Sequence, residues 1–307
     1  GGLRLSQVAR AADGTRKLVF TLTEGEAAGG SVETVLIPIV RQQGLRDRLT
    51  ICVSSQVGCA MNCQFCYTGR MGLLGNLTTA QIVEQVVEAR RFLAQEGERT
   101  QLTNLVFMGM GEPLHNTEAV LAAADIVSHY LGLHISHNKV TISTVGLVPE
   151  MRSVVARSRV QMALSLHATT DEVRDWIVPV NRRYDLATLT AALEELGNSS
   201  SRSLLIEYTM LHGINDTLQD AHRLVAMLAR VNCKVNLIMF NPHAGTRFQP
   251  STEEAVTAFR SALVQAGMVC TIRDSRGDDE MAACGQLGNV GLAFRPSPIL
   301  EPPEHFR

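Results

Sequence analysis

The sequence predicts an α/β fold of six or so strand-helix units arranged as a barrel or partial barrel, with a small β extension in front. Three observations predict it. From Leu49 onward short β-branched runs alternate with helical patterns, the runs are almost wholly apolar, and they recur at regular intervals. The composition agrees: 307 residues, 45% hydrophobic and 19% charged, suffice for a large buried core and exclude disordered, collagen-like and coiled-coil classes.

Residues 1–48 read as the N-terminal β extension, with strands at Lys17 to Leu22 and Ser31 to Val40 joined by a Gly-rich turn, Gly25 to Gly30. Residues 49–290 form the core. Its strands are expected at Leu49 to Ser54, Asn104 to Met108, Lys139 to Ser143, Val160 to Leu166, Leu204 to Thr209, Lys234 to Phe240 and Val269 to Arg273. Between them, Thr78 and Gln81 make a capping box for a helix that turns Ile82, Val86, Ala89 and Leu93 inward. Leu186 to Leu196 and Ala221 to Leu228 repeat that periodicity, and Ser251 with Glu254 is expected to cap a helix burying Ala255, Phe259 and Leu263. The segment 291–307 holds four of the ten prolines and is expected to be an extended, mobile tail.

Lys and Arg number 28 against 30 Asp and Glu, so no overall field draws the chain to nucleic acid or anionic lipid. No apolar run approaches the roughly 18 residues of a membrane span, and no secretory signal opens the chain. It begins Gly-Gly, as a fragment or a processed product would. Seven cysteines, an odd number, suit a reducing compartment better than a disulfide framework.

Four of those cysteines fall between Cys52 and Cys66, and Cys59, Cys63 and Cys66 stand as C-x3-C-x2-C directly after a strand. Structural zinc takes four ligands in paired short spacings, and no second pair stands at the expected distance. A four-iron cluster held by three thiolates keeps one iron open for a substrate or cofactor. One unit later a hydrophobic strand ends in Gly111-Glu112-Pro113. Further strands end in Ser143, in Ser165, Leu166 and His167, and in Asn241, polar groups that would ring one barrel mouth.

The triplet and the Gly-Glu-Pro turn resemble the radical S-adenosylmethionine (radical SAM) superfamily. That resemblance implies a partial (β/α)6 barrel, a [4Fe-4S] cluster on Cys59, Cys63 and Cys66, and a cofactor whose methionine ammonium meets Gly111 and Glu112. Longer strings, from about Glu33 to Leu287, resemble the RlmN and Cfr family of adenine methyltransferases. They include Cys52 to Cys59, Phe107 to Pro113, Ile177 to Asn181 and Arg276 to Leu287, and Cys66 to Gly72 looks most like plant and algal members.

Membership would imply that Cys284 becomes S-methylated and delivers the carbon to adenine, that Cys52 resolves the adduct through a transient disulfide, and that Glu33 accepts a proton. From the residues alone, Glu33 is a surface strand position, Cys52 a buried strand thiol, and Cys284 part of an exposed polar turn beside Arg273 and Arg276. The chemistry is consistent with a radical route, because C2 of adenine is electron-poor and carries no acidic hydrogen.

The implied partners are ribosomal RNA, with transfer RNA as a second substrate left open, and an electron donor such as flavodoxin or ferredoxin. A monomer off the membrane is expected, cytoplasmic in a bacterium, plastid or mitochondrial in a plant or alga. C8 rather than C2 methylation, a radical enzyme acting on a non-RNA substrate, and an RNA-binding module that carries a cluster or zinc without catalysis stay open. Arg90, Arg91, Arg152, Arg157, Arg159, Arg182 and Arg183 are candidate phosphate contacts. Two departures from bacterial relatives stand out: only 58 residues precede Cys59, and Tyr67 follows Cys66 where a small residue is common.

Overall fold

The computed structural model describes residues 1–40, 47–199, 203–273, 275–288 and 291–306. The N-terminal region is a three-stranded antiparallel ribbon: β1 (Leu3–Arg10), β2 (Arg16–Leu22) and β3 (Ser31–Ile39). β1 was not expected. Five of its eight residues face solvent or nearly so, and Arg4 to Gln7 lack the alternation that marks a half-buried strand. The ribbon joins the core sheet directly, since β3 pairs antiparallel with β4 (Arg48–Cys52).

A hairpin follows, β5 (Gln56–Cys59) and β6 (Gly72–Asn76), with the three clustered cysteines in or at its loop. Then come α1 (Thr79–Gln95), β7 (Leu102–Phe107), α2 (Thr117–Ser128), β8 (Val140–Thr144), α3 (Val148–Arg157), β9 (Gln161–Ser165), α4 (Asp171–Ile177) and α5 (Leu186–Ser199). The chain closes with β10 (Leu204–Met210), α6 (Leu218–Leu228), β11 (Cys233–Met239), α7 (Glu253–Gln265) and β12 (Cys270–Arg273). The strands of the large sheet lie in the order β1-β2-β3-β4-β7-β8-β9-β10-β11-β12, parallel from β4 onward. Helical crossovers between neighbouring parallel strands put every strand C-terminus on one rim, where a site is expected in such folds.

All seven predicted core strands are present within a residue or two of their expected bounds. Thr78 caps α1 through the capping box, and Ile82, Val86, Ala89 and Leu93 are all buried. Gln85 on the same face is also buried. It receives hydrogen bonds from the Thr34 hydroxyl at 2.7 Å and the Ser54 amide at 2.9 Å, and donates to the Ser54 carbonyl at 2.9 Å. This side chain fixes the exit of β4 just before the cysteine loop.

Two local expectations are corrected. The cap of α7 is Thr252, whose side chain accepts from Ala255 N, while Ser251 donates to Asp216 at 2.7 Å; the buried stripe accordingly runs through Val256, Phe259 and Leu263 rather than Ala255. The C-terminal tail is extended but docked. Ser297 N donates to Arg70 O at 2.7 Å, Leu300 N to Gln64 Oε1 at 2.8 Å, and Trp176 Nε1 to Leu300 O at 3.2 Å, with Phe306 against the Trp176 ring. Proline runs forfeit backbone donors without forfeiting carbonyls and side-chain contacts, so a Pro-rich strap can still be tied down. No helix among the described residues is long and apolar enough to cross a membrane.

Candidate active site

Cys59 ends β5, and Cys63 and Cys66 follow in the hairpin loop. Asn62 turns that loop with φ +53, and Cys66 N donates to Cys63 O at 3.0 Å. Gly69 allows the loop to fold back on itself, since a Cβ there would stand 3.0 Å from both Cys63 N and O. Cys59 and Cys63 are buried, and Cys66 is partly exposed. Burial raises the pKa of all three thiols, and around Cys59 and Cys63 mutual repulsion and the Glu112 carboxylate raise it further. Three thiolates can therefore coexist here only around a cation.

The described residues nowhere gather three His, Cys, Asp or Glu side chains around a single ion's position. Three thiolates on one short loop suit a cluster, in which each takes a different iron. Amides of Thr68 and Gly69 hydrogen-bond to the Cys66 sulfur, an arrangement that favours its thiolate and so suits a metal-bound sulfur. The donor set fits a [4Fe-4S] cluster.

Glu112 lies under this loop, 3% exposed. Its Oε1 accepts from Leu114 N and its Oε2 from Val145 N, each at 3.0 Å, and burial pushes its pKa up to about 7. A bound ammonium would restore its charge, so the environment fits the expected methionine end of the cofactor. Gly111 adopts φ +100, and a Cβ there would lie 2.6 Å from Gln56 Cβ; the turn can be made only by glycine.

The remaining rim residues divide. Ser143 donates to Glu207 Oε2 at 2.8 Å and lies 3.4 Å from the Ser165 hydroxyl. Asn241 Nδ2 donates to the Cys284 carbonyl at 3.3 Å. Leu166 is fully buried, its amide bonded to Glu207 O. His167 is turned into the protein. Its Nδ1 accepts from Thr209 N at 2.9 Å, its carbonyl accepts from Asn215 Nδ2 at 2.7 Å, and Phe65 packs against its ring.

Burial and the nearby Arg174 push the His167 pKa down to about 3 from 6.5. Between those values the unfolded chain binds a proton that the folded one refuses, so stability falls as pH falls through that window. A drop from pH 7 to pH 5 should cost about 2 kcal/mol from this residue. Denaturant midpoints at the two pH values check it: His167→Asn, which tolerates φ +61, should lessen the difference, and an equal pH response in both proteins contradicts the assignment.

Cys52 and Cys284, 232 positions apart, line one cavity together with Met108, Asn241 and Arg273. Cys52 is buried at the end of β4. Cys284 keeps solvent contact at the cavity wall, although protein surrounds it on most sides. Arg273 lowers both thiols, as expected of a cation beside Cys284, but burial dominates and leaves them at about 12 and about 11. Neither is in a disulfide. The Cys284 loop is stitched to the cluster loop: Tyr67 N donates to Gly285 O at 2.7 Å and the Thr68 hydroxyl to Leu287 O at 2.5 Å. Tyr67 finds room because residue 288 is glycine; a Cβ there would lie 2.0 Å from the Tyr67 ring.

Glu33 is not a surface residue. It is 2% exposed, 3.2 Å from Lys17 Nζ, and accepts from Gly288 N at 2.8 Å. The β2–β3 pairing and the sequel of the Cys284 loop together cover it, and neither is visible in the local pattern Val-Glu-Thr-Val.

Two site residues went unmarked in the sequence. Glu207 is 3% exposed, and its Oε1, which accepts no hydrogen bond, lies 3.6 Å from Arg273 Nη1. Arg174 is fully buried and donates to the carbonyls of Val145, Ser165 and Leu166 and to Asn181 Oδ1, beneath Cys63. Several of the arginines proposed as phosphate contacts have other employment: Arg152 pairs with Glu195, Arg157 with Glu118 and Arg91 with Glu88, while Arg90 donates to Leu133 O.

Comparison with known proteins places this geometry. The radical SAM superfamily profile matches residues 53–225. The dual-specificity RNA methyltransferase RlmN of Geotalea uraniireducens is 49% identical over 280 residues, 91% of this chain and 77% of that protein. Its counterpart of the same name in Geobacter sulfurreducens is 46% identical over 285 residues, 93% of this chain and 74% of that one. The crystal structure of a radical SAM methyltransferase from Sphaerobacter thermophilus superposes with a TM-score of 0.85 at 40% identity, over 93% of this chain and 81% of that chain.

Proposed function

We propose, from the premise that this chain belongs to the RlmN family of radical SAM RNA methyltransferases, that it forms 2-methyladenine in large-subunit ribosomal RNA, with transfer RNA as a second substrate. The observation that carries this reading is the pairing of Cys52 and Cys284 across one cavity, beside a three-cysteine loop. A cluster enzyme that used no thiol carrier would have no need of both.

The family works with a [4Fe-4S] cluster and S-adenosylmethionine. When bound, they supply a methyl group and, on one-electron reduction, a carbon radical able to remove a hydrogen atom from an unactivated methyl. Cys59, Cys63 and Cys66 would hold the cluster, Gly111 and Glu112 the methionine ammonium, and Ser143, Ser165, Leu166, His167 and Asn241 the rest of the cofactor. The side chains of Leu166 and His167 are committed to the core, and the Leu166 amide and both carbonyls already hold hydrogen bonds within the protein.

Cys284 carries the methyl group as a thioether and presents it to the adenine ring. Once the carbon has joined the ring, the adduct loses its ring proton and one electron, the latter to the bound cluster. The Cys52 thiolate then attacks the Cys284 sulfur; the sulfur–carbon bond breaks, the released methylene takes a proton to become the methyl group, and an external dithiol must reduce the resulting disulfide before the next cycle. Glu33 takes the ring proton. Arg273 is placed to stabilise whichever thiolate is exposed during exchange. Residues 49–290 are the catalytic core, residues 1–48 an accessory N-terminal extension, and 291–307 a Pro-rich C-terminal tail. The electron donor is a redox protein such as flavodoxin or ferredoxin, and the enzyme acts as a monomer where its ribosomes are, in a bacterial cytoplasm or an organelle.

Nucleoside mass spectrometry of RNA from cells with and without the gene tests the reading. Loss of 2-methyladenine with the gene is the expected result. Loss of 8-methyladenine instead would move the chemistry to C8, and unchanged RNA would remove RNA as the substrate.

A further inference from the structure

The loop that carries Cys284 has no regular helix or strand and is held internally by short-range bonds, among them Ala282 N to Gly277 O at 2.9 Å and Ala283 N to Gln286 Oε1 at 3.1 Å. Between Gly277 and Gly288 it contains one 3-10 turn, Asp278–Glu280, bracketed by left-handed residues at Gly277 and Met281. A thiol that must meet two reactants in succession cannot be left on a floppy segment, since misplacement by about 1 Å can cost a hundredfold in rate. Besides its ties to the cluster loop and to Asn241 and Pro242, the loop is fastened at both ends to the N-terminal ribbon. Lys17 Nζ donates to Met281 O at 3.1 Å, and Glu33 Oε2 accepts from Gly288 N at 2.8 Å. Asp279 accepts from Ala12 N at 2.9 Å, and Asp13 accepts from Gly277 N at 3.1 Å.

Lys17 and Glu33 are themselves joined at 3.2 Å, with side chains only 11% and 2% exposed. In the β2–β3 register Lys17 faces Val35 while Val19 faces Glu33, so the two charges are diagonal neighbours on one face. That face also carries Val35 and Ile37, which line the Cys52 and Cys284 cavity. A buried ion pair adds little to stability over a packed apolar pair, so its retention calls for another explanation. Here the hydrogen-bonding capacity left over from the pair grips the loop at residues 281 and 288, one on each side of Cys284.

We propose that Lys17 is a positioning residue for the methyl-carrying thiol: with Glu33 it forms a clamp that draws the two ends of the Cys284 loop onto the β2–β3 face and holds the thiol over the cavity shared with Cys52. The proposal rests on the reading of Cys284 as the carrier, but its structural content is tested without RNA.

Amide hydrogen exchange of the cluster-loaded enzyme, with no RNA present, is the experiment. Lys17→Met should speed exchange in residues 281–288 roughly tenfold, the loss expected for a hydrogen bond to a charged group, and more than in the distant helices α2 and α3, with iron content held; the melting temperature will fall because Glu33 is left buried without its cation. The substitution should also lower methylated product per deoxyadenosine released, and Lys17→Arg should restore both. Exchange within twofold of the parent in a folded Lys17→Met protein overturns the clamp. Should that variant not fold, the parent decides: a Gly288 amide that exchanges more slowly than that of Cys284 supports the clamp, and one that exchanges as fast overturns it. Absence of 2-methyladenine from RNA alongside a protected loop would instead count against the substrate, not the clamp.

Discussion

Cys52→Ala will leave the enzyme covalently attached to its RNA. The thioether formed when Cys284 delivers its carbon to the ring has no other thiol on the cavity wall to release it: the cavity contains Cys52 and Cys284, and Cys233 and Cys270 lie away from it. Alanine at position 52 removes one buried sulfur atom from the end of β4, where Val53 and Ile51 keep the strand packed, so the protein should fold and load iron as before. Denaturing gel shift of protein with labelled RNA reads the result. Turnover should fall by at least a hundredfold while a stoichiometric band appears; free RNA with near-parental turnover contradicts the resolving role.

Cys63→Ala should have the second large effect, and a different one. Cys63 is the middle ligand of the triplet, and its loss leaves two sulfurs where a cluster with one open iron needs three. Anaerobically reconstituted Cys63→Ala protein should lose its brown absorbance and most of its iron, and release no deoxyadenosine from S-adenosylmethionine under reduction. Its melting temperature without iron should stay close to that of the parent, because an apo loop with three thiols held neutral by burial has no metal bond to lose. Full iron content in this variant contradicts the ligand assignment.

The core strands were legible because each is a mainly apolar run four to seven residues long, bounded by turn residues and mostly covered on both faces, β12 at the sheet edge with exposed Thr271 and Ile272 being the exception. β1 was not, because a polar strand at the edge of a sheet is stabilised by its ladder to β2 rather than by any pattern in its own residues. The β5–β6 hairpin escaped notice for a related reason: Gln56 to Cys59 and Gly72 to Asn76 are short and glycine-rich, and their pairing shapes a loop rather than a core.

At the site, local spacing sufficed for the cysteine triplet and for the Gly111 turn, where chemistry and geometry reside in consecutive residues. It could not place Glu33, whose burial depends on Lys17 and on Gly288, 255 positions on. Glu207 did carry a signal, a carboxylate inside the otherwise apolar run Leu204 to Met210, and a buried charge at such a position usually has a polar task. Arg174 carried almost none. Its helix supplies Val173 and Ile177 to the core, and only the fold shows that the intervening guanidinium is spent on three carbonyls at the ends of two strands, β8 and β9.

The claim at the centre is that the transferred carbon rides on Cys284 and loses a hydrogen there before it reaches the base. S-adenosylmethionine carrying a fully deuterated methyl group tests this in a single-batch reaction with reductant, RNA and enzyme whose Cys284 was labelled by the same cofactor, followed by mass spectrometry of the methylated nucleoside. A methyl group retaining two of its three original deuterium atoms is the predicted product; an intact trideuteromethyl group would mean direct transfer and contradict the account.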